Sequence, residues 1–372
     1  MMATKRLLDV CDFQGGTQPP KDEWINDPRE GYVRMLQIRD YSQGDAKYIQ
    51  YVKDTKKLHK CTKDDIMLSR YGYIGQAFIG LEGAYNVALV KVIKKAEIHT
   101  PYLLCYFQSY YFQHFLLSNV GARATIPGFN KDELEKALIR IPEMCKQIEI
   151  ASKITKVDEL IGFHKQQLNV LDTLIKSRFI EMFGDPKRNP RKWDMVTIGD
   201  IATDVRYGTS RPATEGGKYP YLRMNNLTYE GYLDLTDLKH IDIPDNEVEK
   251  CVVRNGDVLF NRTNSVELVG KTCVYNLDSD MIIAGYIIRV RIDDRVLPVI
   301  LSSYLNSTVM KEQLRSMAKG AVNQANINAQ ELRSIPIYLP PITLQHEFAT
   351  FVEQVDKSKY HGEFTCEMEV AA

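Results

Sequence analysis

Residues 142–183 read PEMCKQIEIASKITKVDELIGFHKQQLNVLDTLIKSRFIEMF, and the rest of the chain is arranged around this run. Its apolar residues recur at alternating steps of four and three. The positions on this spacing, eight of them apolar, are Ile150, Ile154, Val157, Ile161, His164, Leu168, Leu171, Ile175, Arg178 and Met182. A strict 4-3 spacing is typical of the narrow seam of a coiled coil and predicts a helix about 48 Å long. A helix of this length without internal caps requires a partner helix.

The composition is that of an ordinary globular protein. The chain has 372 residues, enough for two or three domains, and its formal net charge is zero. Its seven cysteines show no CxxC or Cys/His spacing, which argues against a zinc site and against a disulfide framework. The start of the chain lacks an apolar core of signal-peptide length, and polar residues interrupt the most apolar run, residues 101–117. We therefore expect no membrane segment and a cytoplasmic location.

The chain contains one long internal repeat. The matching positions, offset by 192 residues early and by 198 residues later, include Gly16-Thr17 with Gly208-Thr209, Asp65 with Asp257, Arg70 with Arg262, Pro142 with Pro340, Gln147 with Gln345 and Val157-Asp158 with Val355-Asp356. A period this long is incompatible with a solenoid. It predicts two copies of a unit made of one globular domain and one long helix.

Each copy has the same order of parts. A β-rich segment with polar turns is followed by a helix, a further strand, and a proline that begins a long helix. This order predicts four segments: a first globular domain at 1–140, a central long helix at 141–186, a second globular domain at 187–338, and a C-terminal helix with a tail at 339–372.

The usual catalytic signatures are missing. Gly270-Lys271-Thr272 is not a phosphate-binding loop, because Ser265 stands where the earlier glycine would be required. No glycine fingerprint follows a strand into a helix, so neither a dinucleotide pocket nor an S-adenosylmethionine pocket is predicted. The seven histidines show no metal-ligand spacing, and His164 on the helical seam is interpreted as structural. The sequence therefore favours a non-catalytic protein without cofactor or metal.

Polar side chains cluster in corresponding loops of the two copies. Arginine can read guanine edges, asparagine and glutamine can read adenine, and serine, threonine and backbone N–H groups can hold phosphate. The candidate DNA-binding residues are Thr17, Gln18, Arg34, Gln37, Arg39, Ser69, Arg70, Tyr71 and Arg123 in the first copy, and Thr209, Ser210, Arg211, Arg223, Asn225, Asn226, Asn261, Arg262, Thr263, Asn264, Asn323 and Gln324 in the second.

A structural interpretation of the two repeated arginines competes with this one. Arg70 and Arg262 could form ion pairs with Asp65 and Asp257, which recur at the same offset. Repeated pairs fit a structural role, whereas the different neighbours of the two arginines fit base reading better, because two readers of different sequences should differ.

At this point the chain resembles the specificity subunits of type I restriction–modification systems. The segments that carry the resemblance are Tyr338-Leu339-Pro340-Pro341-Ile342-Thr343-Leu344-Gln345 followed by Phe348, Val352 and Val355, together with Gly208-Thr209 and Gly256-Asp257-Val258-Leu259 with Arg262. The resemblance covers residues 1 to about 357. The first copy of the signature, Arg140-Ile141-Pro142-Glu143-Met144, lacks the second proline.

The resemblance implies an α+β fold, with two similar α/β target recognition domains joined by long helices that form an antiparallel coiled coil. It also implies a subunit without an active site that reads a bipartite sequence in double-stranded DNA, in a system that methylates adenine. Its partners would be methyltransferase subunits and, through them, restriction subunits. Two alternatives remain: a specificity subunit for a fused nuclease–methyltransferase partner, and a degenerate scaffold that binds methyltransferase subunits without reading DNA.

The second long helix is expected to be short. The offset of 198 maps Ile161 onto Lys359 and His164 onto Gly362, so the apolar seam fails there. The alternative is that the helix continues, since Tyr360, Phe364 and Met368 are four residues apart. A shortened helix would leave one stripe of the first helix without its partner, and we expect that stripe to bind a partner subunit: Ile150, Ile154, Val157 and Ile161.

Overall fold

The structure is a computed structural model that describes residues 3–43, 48–120, 128–321 and 324–371. The chain forms two compact units, Met1–Leu160 and Ile161–Ala372. The boundary between them lies within one helix of 40 residues, Met144–Phe183. The apolar periodicity predicts this helix but not the boundary inside it. Each unit is described by itself below.

The first unit is built mainly from short strands followed by helices. Its elements are β1 (Ala3–Arg6), α1 (Leu7–Val10), β2 (Cys11–Gly15), β3 (Tyr32–Leu36), α2 (Ile38–Ser42), β4 (Tyr51–Lys53), β5 (Lys60–Cys61), β6 (Met67–Ser69), β7 (Ala77–Phe78), β8 (Gly83–Tyr85), β9 (Leu89–Lys94), α3 (Thr100–Gln108), α4 (Tyr110–Asn119), β10 (Leu138–Ile141) and the start of α5 (Met144–Phe183).

The second unit contains the end of α5 and repeats this order. Its elements are β11 (Asp194–Thr197), α6 (Ile198–Ile201), β12 (Ala202–Tyr207), β13 (Tyr219–Leu222), β14 (Lys239–Ile241), α7 (Asp245–Cys251), β15 (Val252–Val253), β16 (Val258–Asn261), β17 (Thr263–Asn264), β18 (Thr272–Val274), β19 (Met281–Ile283), β20 (Ile287–Ile292), α8 (Pro298–Asn306), α9 (Thr308–Met317), β21 (Lys319–Ala321), β22 (Gln324–Asn326), α10 (Ala329–Arg333), β23 (Pro336–Leu339) and α11 (Ile342–Ala371).

Two four-stranded sheets have corresponding strand orders in the two units, and the second unit has in addition the three-stranded sheet β17-β22-β21. The sheets β2-β9-β6-β7 and β4-β3-β8-β5 of the first unit correspond to β12-β20-β16-β18 and β14-β13-β19-β15 of the second. Each unit also has one parallel pair, β3 with β8 and β13 with β19, and one antiparallel pair formed by its first and last strands, β1 with β10 and β11 with β23. The α+β fold class and the internal repeat are thus confirmed.

The repeated prolines and glutamines hold the start of each long helix. Gln147 donates to the Pro142 carbonyl at 2.8 Å, and its side-chain oxygen accepts from the backbone N–H of His99 at 3.0 Å. Gln345 donates to the Pro340 carbonyl at 2.8 Å and accepts from the backbone N–H of Leu297 at 2.8 Å. Because both glutamines are buried, these bonds satisfy backbone groups that water cannot reach.

Within the second unit, α5 and α11 form an antiparallel pair. The ring centroid of Phe348 lies 5.4 Å from that of Phe179 and 5.5 Å from that of Phe183, while farther along α11 Lys359 contacts Asp172, earlier on α5. The buried positions of α5 are four residues apart: Ile175, Phe179 and Phe183.

The predicted seam is therefore wrong at Arg178. That side chain is ion-paired to Glu181 at 2.8 Å and packs over the Phe351 ring at 5.9 Å, and Phe179 takes the buried position. In this unit α5 packs on the globular domain as well as on α11, so its apolar face is wider than the narrow stripe of a coiled coil. The fully buried side chains of this part of α5 are four residues apart because they lie on that wider face.

The prediction that α11 stops near residue 358 is also wrong. The helix runs from Ile342 to Ala371, across Gly362, and is 30 residues long against the 40 of α5. A single glycine inside a helix costs only about 1 kcal/mol relative to alanine, so it does not end the helix.

Lys359, where the apolar seam was expected to fail, forms a partly buried polar layer. Its ammonium group lies 2.5 Å from an Asp172 carboxylate oxygen, 3.5 Å from Asp356 and 4.2 Å from the ring centroid of Tyr232. Burial raises the pKa of Asp356, partly offset by Lys359. This charged layer continues the contact between the two helices, with the 228–233 loop of the same unit closing over it.

Lys311 is buried, and no carboxylate forms an ion pair with it among the residues that the structure describes. Lys311 donates to the Gly270 carbonyl at 2.9 Å and lies 5.0 Å from the centre of the Tyr229 ring. Burial lowers the pKa of Lys311 to about 7, so the folded state binds its proton less tightly than the unfolded state does. Lys311 therefore lowers the free energy of unfolding by its full amount below pH 7. This reduction becomes smaller as the pH rises toward the ordinary lysine pKa.

We expect Lys311→Met to change the pH dependence of unfolding. The free energy of unfolding of the variant relative to the parent should fall by about 2 kcal/mol between pH 7 and pH 9, because the penalty on the parent is relieved over that range. Chemical denaturation at the two pH values measures this change. Lys357→Met, at an exposed position on α11, should show a constant difference; a constant difference for Lys311→Met as well would contradict the argument.

Two features are absent from the residues that the structure describes. Over that part of the chain, no helix is long and apolar enough to cross a membrane. Among the same residues, no group of three or more histidine, cysteine, aspartate or glutamate side chains could hold a metal ion.

Candidate nucleic-acid interface

The glycine-threonine turn after β2 and β12 is the same in both units. A β-carbon on Gly16 would lie 2.0 Å from the Asn86 carbonyl oxygen, and one on Gly208 would lie 2.1 Å from that of Ile283. Only glycine permits this approach. The following threonines donate backbone hydrogen bonds, Thr17 to Tyr85 at 3.0 Å and Thr209 to Ile283 at 2.9 Å.

The repeated arginines lie beside these turns. The backbone N–H of Arg70 donates to the Ala88 carbonyl at 2.8 Å, and that of Arg262 donates to the Tyr286 carbonyl at 2.9 Å. Tyr286 is the counterpart of Ala88 at the repeat offset of 198 residues. Each arginine therefore leaves the corresponding strand, β6 or β16, at the same place in its unit. Its side chain turns toward the end of β2 or β12.

The ion pairs Asp65–Arg70 and Asp257–Arg262 of the structural interpretation are wrong. Asp65 pairs with Lys91 at 3.0 Å, and Asp257 pairs with Arg291 at 2.8 Å. Both partners lie on the neighbouring antiparallel strand, β9 or β20, where cross-strand side chains meet more readily than residues five apart in one strand. No carboxylate pairs with Arg70 or Arg262 among the residues that the structure describes.

The surroundings of the two arginines differ. Arg70 donates to the Phe129 carbonyl at 3.1 Å and to the Asn130 side chain, and it lies 5.3 Å from the Tyr71 ring centre. Arg262 lies 4.9 Å from the Tyr207 ring centre, and its side chain donates to the Gly285 carbonyl at 3.3 Å. Its buried Nε has no acceptor among the residues that the structure describes. Arg262 is thus the less satisfied cation of the two.

In the second unit the turn after β12 gathers several candidates. The Thr209 carbonyl accepts from the backbone N–H of Gly285 at 2.7 Å, and the Tyr221 hydroxyl donates to the Arg211 carbonyl at 3.0 Å. Arg211 binds Glu247 through two bonds, of 2.8 and 3.1 Å, and this pairing lowers the pKa of Glu247. Ser210 is exposed beside them.

The 3-10 helix at Met224–Asn226 presents a second group. Arg223 pairs with Asp237 at 2.7 Å, and the bond from Arg223 is the main cause of the lowered pKa of Asp237. Asn225 is exposed, whereas Asn226 is buried and donates to the Asp234 carbonyl at 2.7 Å.

In the first unit the polar residues that follow β3 meet at Gln50. Its side-chain oxygen accepts from Gln37 at 3.2 Å and from Arg39 at 2.6 Å. Arg34 pairs with Asp40 at 2.8 Å. The structure therefore brings Arg34, Gln37 and Arg39 together, while Gln18 is exposed and Thr17 accepts from the His59 backbone at 3.4 Å.

Several predicted contact residues have structural roles instead. Ser69 is fully buried and hydrogen-bonds the Tyr73 carbonyl and the Gln76 backbone. Asn261 is fully buried and donates to the carbonyls of Thr263 and Tyr286. Thr209, Asn226 and Thr263 are also buried, and Asn264 bonds to the Asn261 side chain. Short polar residues of this kind satisfy backbone groups in turns, which the sequence pattern does not distinguish from ligand contacts.

The structure describes part of the loop 323–326. β22 pairs with β17, and the Thr263 hydroxyl donates to Asn326 at 2.8 Å, so residues 325 and 326 lie beside Asn264. The side chain of Gln324 and all of Arg123 and Asn323 lie outside the described residues.

Two exposed tyrosines were missed by sequence reasoning. Tyr286 is half exposed and accepts the backbone bond from Arg262, and Tyr73 lies in the loop after Tyr71 with 75% of its surface exposed. Exposed aromatic residues can stack on bases or pack against sugars. The offset of 198, which maps Ala88 onto Tyr286, could have drawn attention to the first of them.

Comparison with known proteins gives a consistent result. The family of type I restriction modification DNA specificity domains matches residues 1–173 and 190–362, one match for each copy of the repeat. The specificity subunit of the type I restriction enzyme EcoKI from Escherichia coli K12 is 21% identical over 367 residues, covering 91% of this chain and 79% of its own length. That of StySPI from Salmonella potsdam is 21% identical over 380 residues, covering 95% and 81%.

Solved structures show the same fold. A structure described as showing complex assembly and conformational transition of the type I restriction–modification system has a TM-score of 0.55 at 17% identity, covering 100% of this chain and 94% of that one. The specificity subunit of a type I system from M. genitalium has a TM-score of 0.53 at 13% identity, covering 100% and 93%.

This protein belongs to the family of type I restriction modification DNA specificity domains. It is a non-catalytic specificity subunit that carries two DNA recognition domains, in agreement with the missing catalytic motifs.

Proposed function

We propose that this subunit reads a bipartite sequence in double-stranded DNA, one part with each unit. One observation carries the proposal: the two units share one backbone frame but place differently surrounded, carboxylate-free arginines at the same point of it. A shared frame presents both arginines in the same way, and different neighbours give each unit its own hydrogen-bonding pattern toward base edges.

The proposed contact surface of each unit combines the arginine with exposed or partly exposed polar and aromatic residues of the same unit. In the second unit these are Arg262, Tyr207, Ser210 and Asn225, and in the first unit Arg70, Tyr71, Arg39 and Gln18. The buried polar residues hold the loops that present them. Arg211, Arg223 and Arg34 are held by carboxylates, so they contact phosphate only if those pairs open.

The proposed partners are methyltransferase subunits, with restriction subunits bound through them, and the proposed location is the cytoplasm. The relatives are subunits of multi-subunit restriction enzymes, which supports assembly with other chains. The long helices are the natural docking elements, because they carry exposed apolar residues such as Leu160, Val170 and Leu174.

Arg262→Ala tests the DNA-reading proposal. The target is first found by methylome sequencing of a host that expresses this chain with its methyltransferase. Affinity for that target should then fall by about 1–3 kcal/mol in a gel shift at fixed salt. The loss should appear only against DNA that carries the half-site read by the second unit, and Arg262→Lys should keep non-specific binding but lose discrimination.

Arg295→Ala is the matched control, since that exposed arginine is already paired with Asp293 at 2.7 Å. If both variants lost the same DNA affinity, the effect of Arg262→Ala would come from the loss of one positive charge and not from a base contact. A complex that assembles with the methyltransferase but shows no preference for any DNA sequence would favour the scaffold alternative.

A further inference from the structure

A β-hairpin at residues 226–234 joins the proposed contact surface of the second unit to the helices of the same unit. Near its tip, the backbone N–H of Thr228 donates to the Tyr232 carbonyl at 2.9 Å. At its base, the buried side chain of Asn226 donates to the Asp234 carbonyl at 2.7 Å. Because these bonds cross from one strand of the hairpin to the other, its tip and base move together.

The base of the hairpin follows the exposed Asn225 of the contact surface. Asn225 lies in the 3-10 helix that leads into the hairpin. In that helix the Met224 carbonyl accepts from the buried Lys271 side chain at 2.7 Å. The Lys271 carbonyl accepts from the backbone N–H of Asn261 at 2.8 Å, and Asn261 directly precedes Arg262. The hairpin base is therefore connected to the strand that carries the repeated arginine.

The tip of the hairpin is held by both helices of the α5–α11 pair. The Lys359 ammonium group donates to the Tyr232 hydroxyl and lies 4.2 Å from the centre of the Tyr232 ring. The Tyr232 hydroxyl donates to Asp356 on α11 at 3.4 Å. Lys359, also on α11, pairs with Asp172 on α5 at 2.5 Å. Tyr232 therefore connects the hairpin to the polar layer between the two helices.

Two other residues hold the tip to the globular part of the unit. The Tyr229 hydroxyl accepts from Arg315 on α9 at 2.9 Å. Gly231 has a φ of +102°, and a β-carbon on it would lie 2.6 Å from the Asn306 side chain at the end of α8. Since these contacts remain when the Tyr232 side chain is removed, its loss should displace the hairpin without unfolding it.

The equivalent turn of the first unit is held in another way. Both turns follow the parallel-paired strand, β3 or β13, and begin with a capping box. This alignment makes Arg39 the counterpart of Asn225. Arg39 donates to the Gln50 side chain at 2.6 Å, and the Tyr41 ring stacks on that of Phe78 at 4.9 Å between centroids. These partners belong to the globular part of the first unit and not to a long helix.

We propose that the helix pair of the second unit positions Asn225 for base reading through the hairpin 226–234, with Tyr232 and Lys359 as positioning residues. The inference rests on the proposed reading of DNA and adds a control on one half-site. A contact side chain discriminates between bases only while its backbone is held in place. A change at the polar layer is transmitted through the connected bonds to Asn225, whereas Arg39 in the first unit keeps its own support.

Tyr232→Ala in the complex with the methyltransferase tests the inference. Discrimination is measured for each half-site as the ratio of the affinities for the target and for DNA with that half-site scrambled. For the half-site assigned to the second unit by Arg262→Ala, the ratio should fall about fivefold, the discrimination that one base contact provides. For the other half-site it should stay unchanged. Tyr232→Phe, which keeps the ring over Lys359, should recover most of the loss.

Hydrogen exchange of the backbone amides gives a readout that does not depend on DNA. Exchange at residues 225–228 should become faster in Tyr232→Ala, because the hairpin has lost its contact with the helices. Exchange across the first-unit turn that contains Arg39 should not change.

Tyr338→Phe is the control for stability. It removes a buried hydroxyl bond, to the Gly184 carbonyl at 3.1 Å, where α5 ends. It should leave both ratios and the exchange of the hairpin at their parent values.

Three outcomes would overturn the inference and leave the proposed reading of DNA intact: unchanged discrimination in Tyr232→Ala, an equal fall at both half-sites, and an equal fall in Tyr338→Phe. A parent complex without preference for any DNA sequence would overturn both.

Discussion

Phe179→Ala is expected to lower the free energy of unfolding of the second unit by about 3–5 kcal/mol, the usual cost of removing a buried aromatic side chain. Phe179 is 1% exposed and contacts Phe183, Phe348 and Tyr338, so its loss opens a cavity where α5, α11 and the globular core meet. Denaturant unfolding followed by near-ultraviolet circular dichroism measures the effect.

Phe163→Ala is the control for this prediction. Phe163 lies on the same helix but is 55% exposed, so its replacement should change stability by no more than about 0.5 kcal/mol. If the two variants were equally stable, Phe179 would not be the centre of the helix contact.

Arg289→Met is expected to have an effect of similar size for an electrostatic reason. Arg289 is 1% exposed in the middle of β20, and its guanidinium binds Asp204 on β12 and the Val252 carbonyl on β15. It thereby ties together the two sheets of the second unit. Removing Arg289 removes two hydrogen bonds from a charged donor, each worth about 1.5–3 kcal/mol, and leaves the buried Val252 carbonyl without this donor.

Arg206→Met gives the matched comparison, since Arg206 binds the same carboxylate at 2.8 Å but is 49% exposed. Burial alone would raise the pKa of Asp204, but the bonds from Arg206 and Arg289 outweigh it and lower that pKa. The exposed partner should contribute at most about 1 kcal/mol. A thermal unfolding series that ranks Arg206→Met as the more damaging change would contradict this assignment.

The features that sequence reasoning predicted well depend on local or repeated patterns. The periodicity of residues 150–182 predicts α5 because each residue's place on a helix is set by its immediate neighbours. The repeat predicts two equivalent units, and the Gly-Thr turns and Pro/Gln pairs occupy equivalent positions in them.

The misassigned residues depend on contacts between distant segments. The partner of Asp257 is Arg291, 34 residues away on an adjacent strand, and strand order is not visible in a single sequence. Asn261 was a candidate DNA-binding residue, yet its side-chain amide donates to backbone carbonyls inside the fold. Lys359 was interpreted as a break in the seam because its partner Asp172 lies on the other helix.

The pairing of first and last strands has a consequence for how such proteins change over time. In the second unit, Asp194 on β11 lies opposite Leu339 on β23, just after α5 ends and just before α11 begins. The chain therefore enters and leaves the globular part about 5 Å apart. The globular segment between β11 and β23 is therefore attached to the helices through this one pair of antiparallel strands. Gene recombination within the two strands would replace the globular segment, and with it the recognised DNA sequence, without changing α5 and α11.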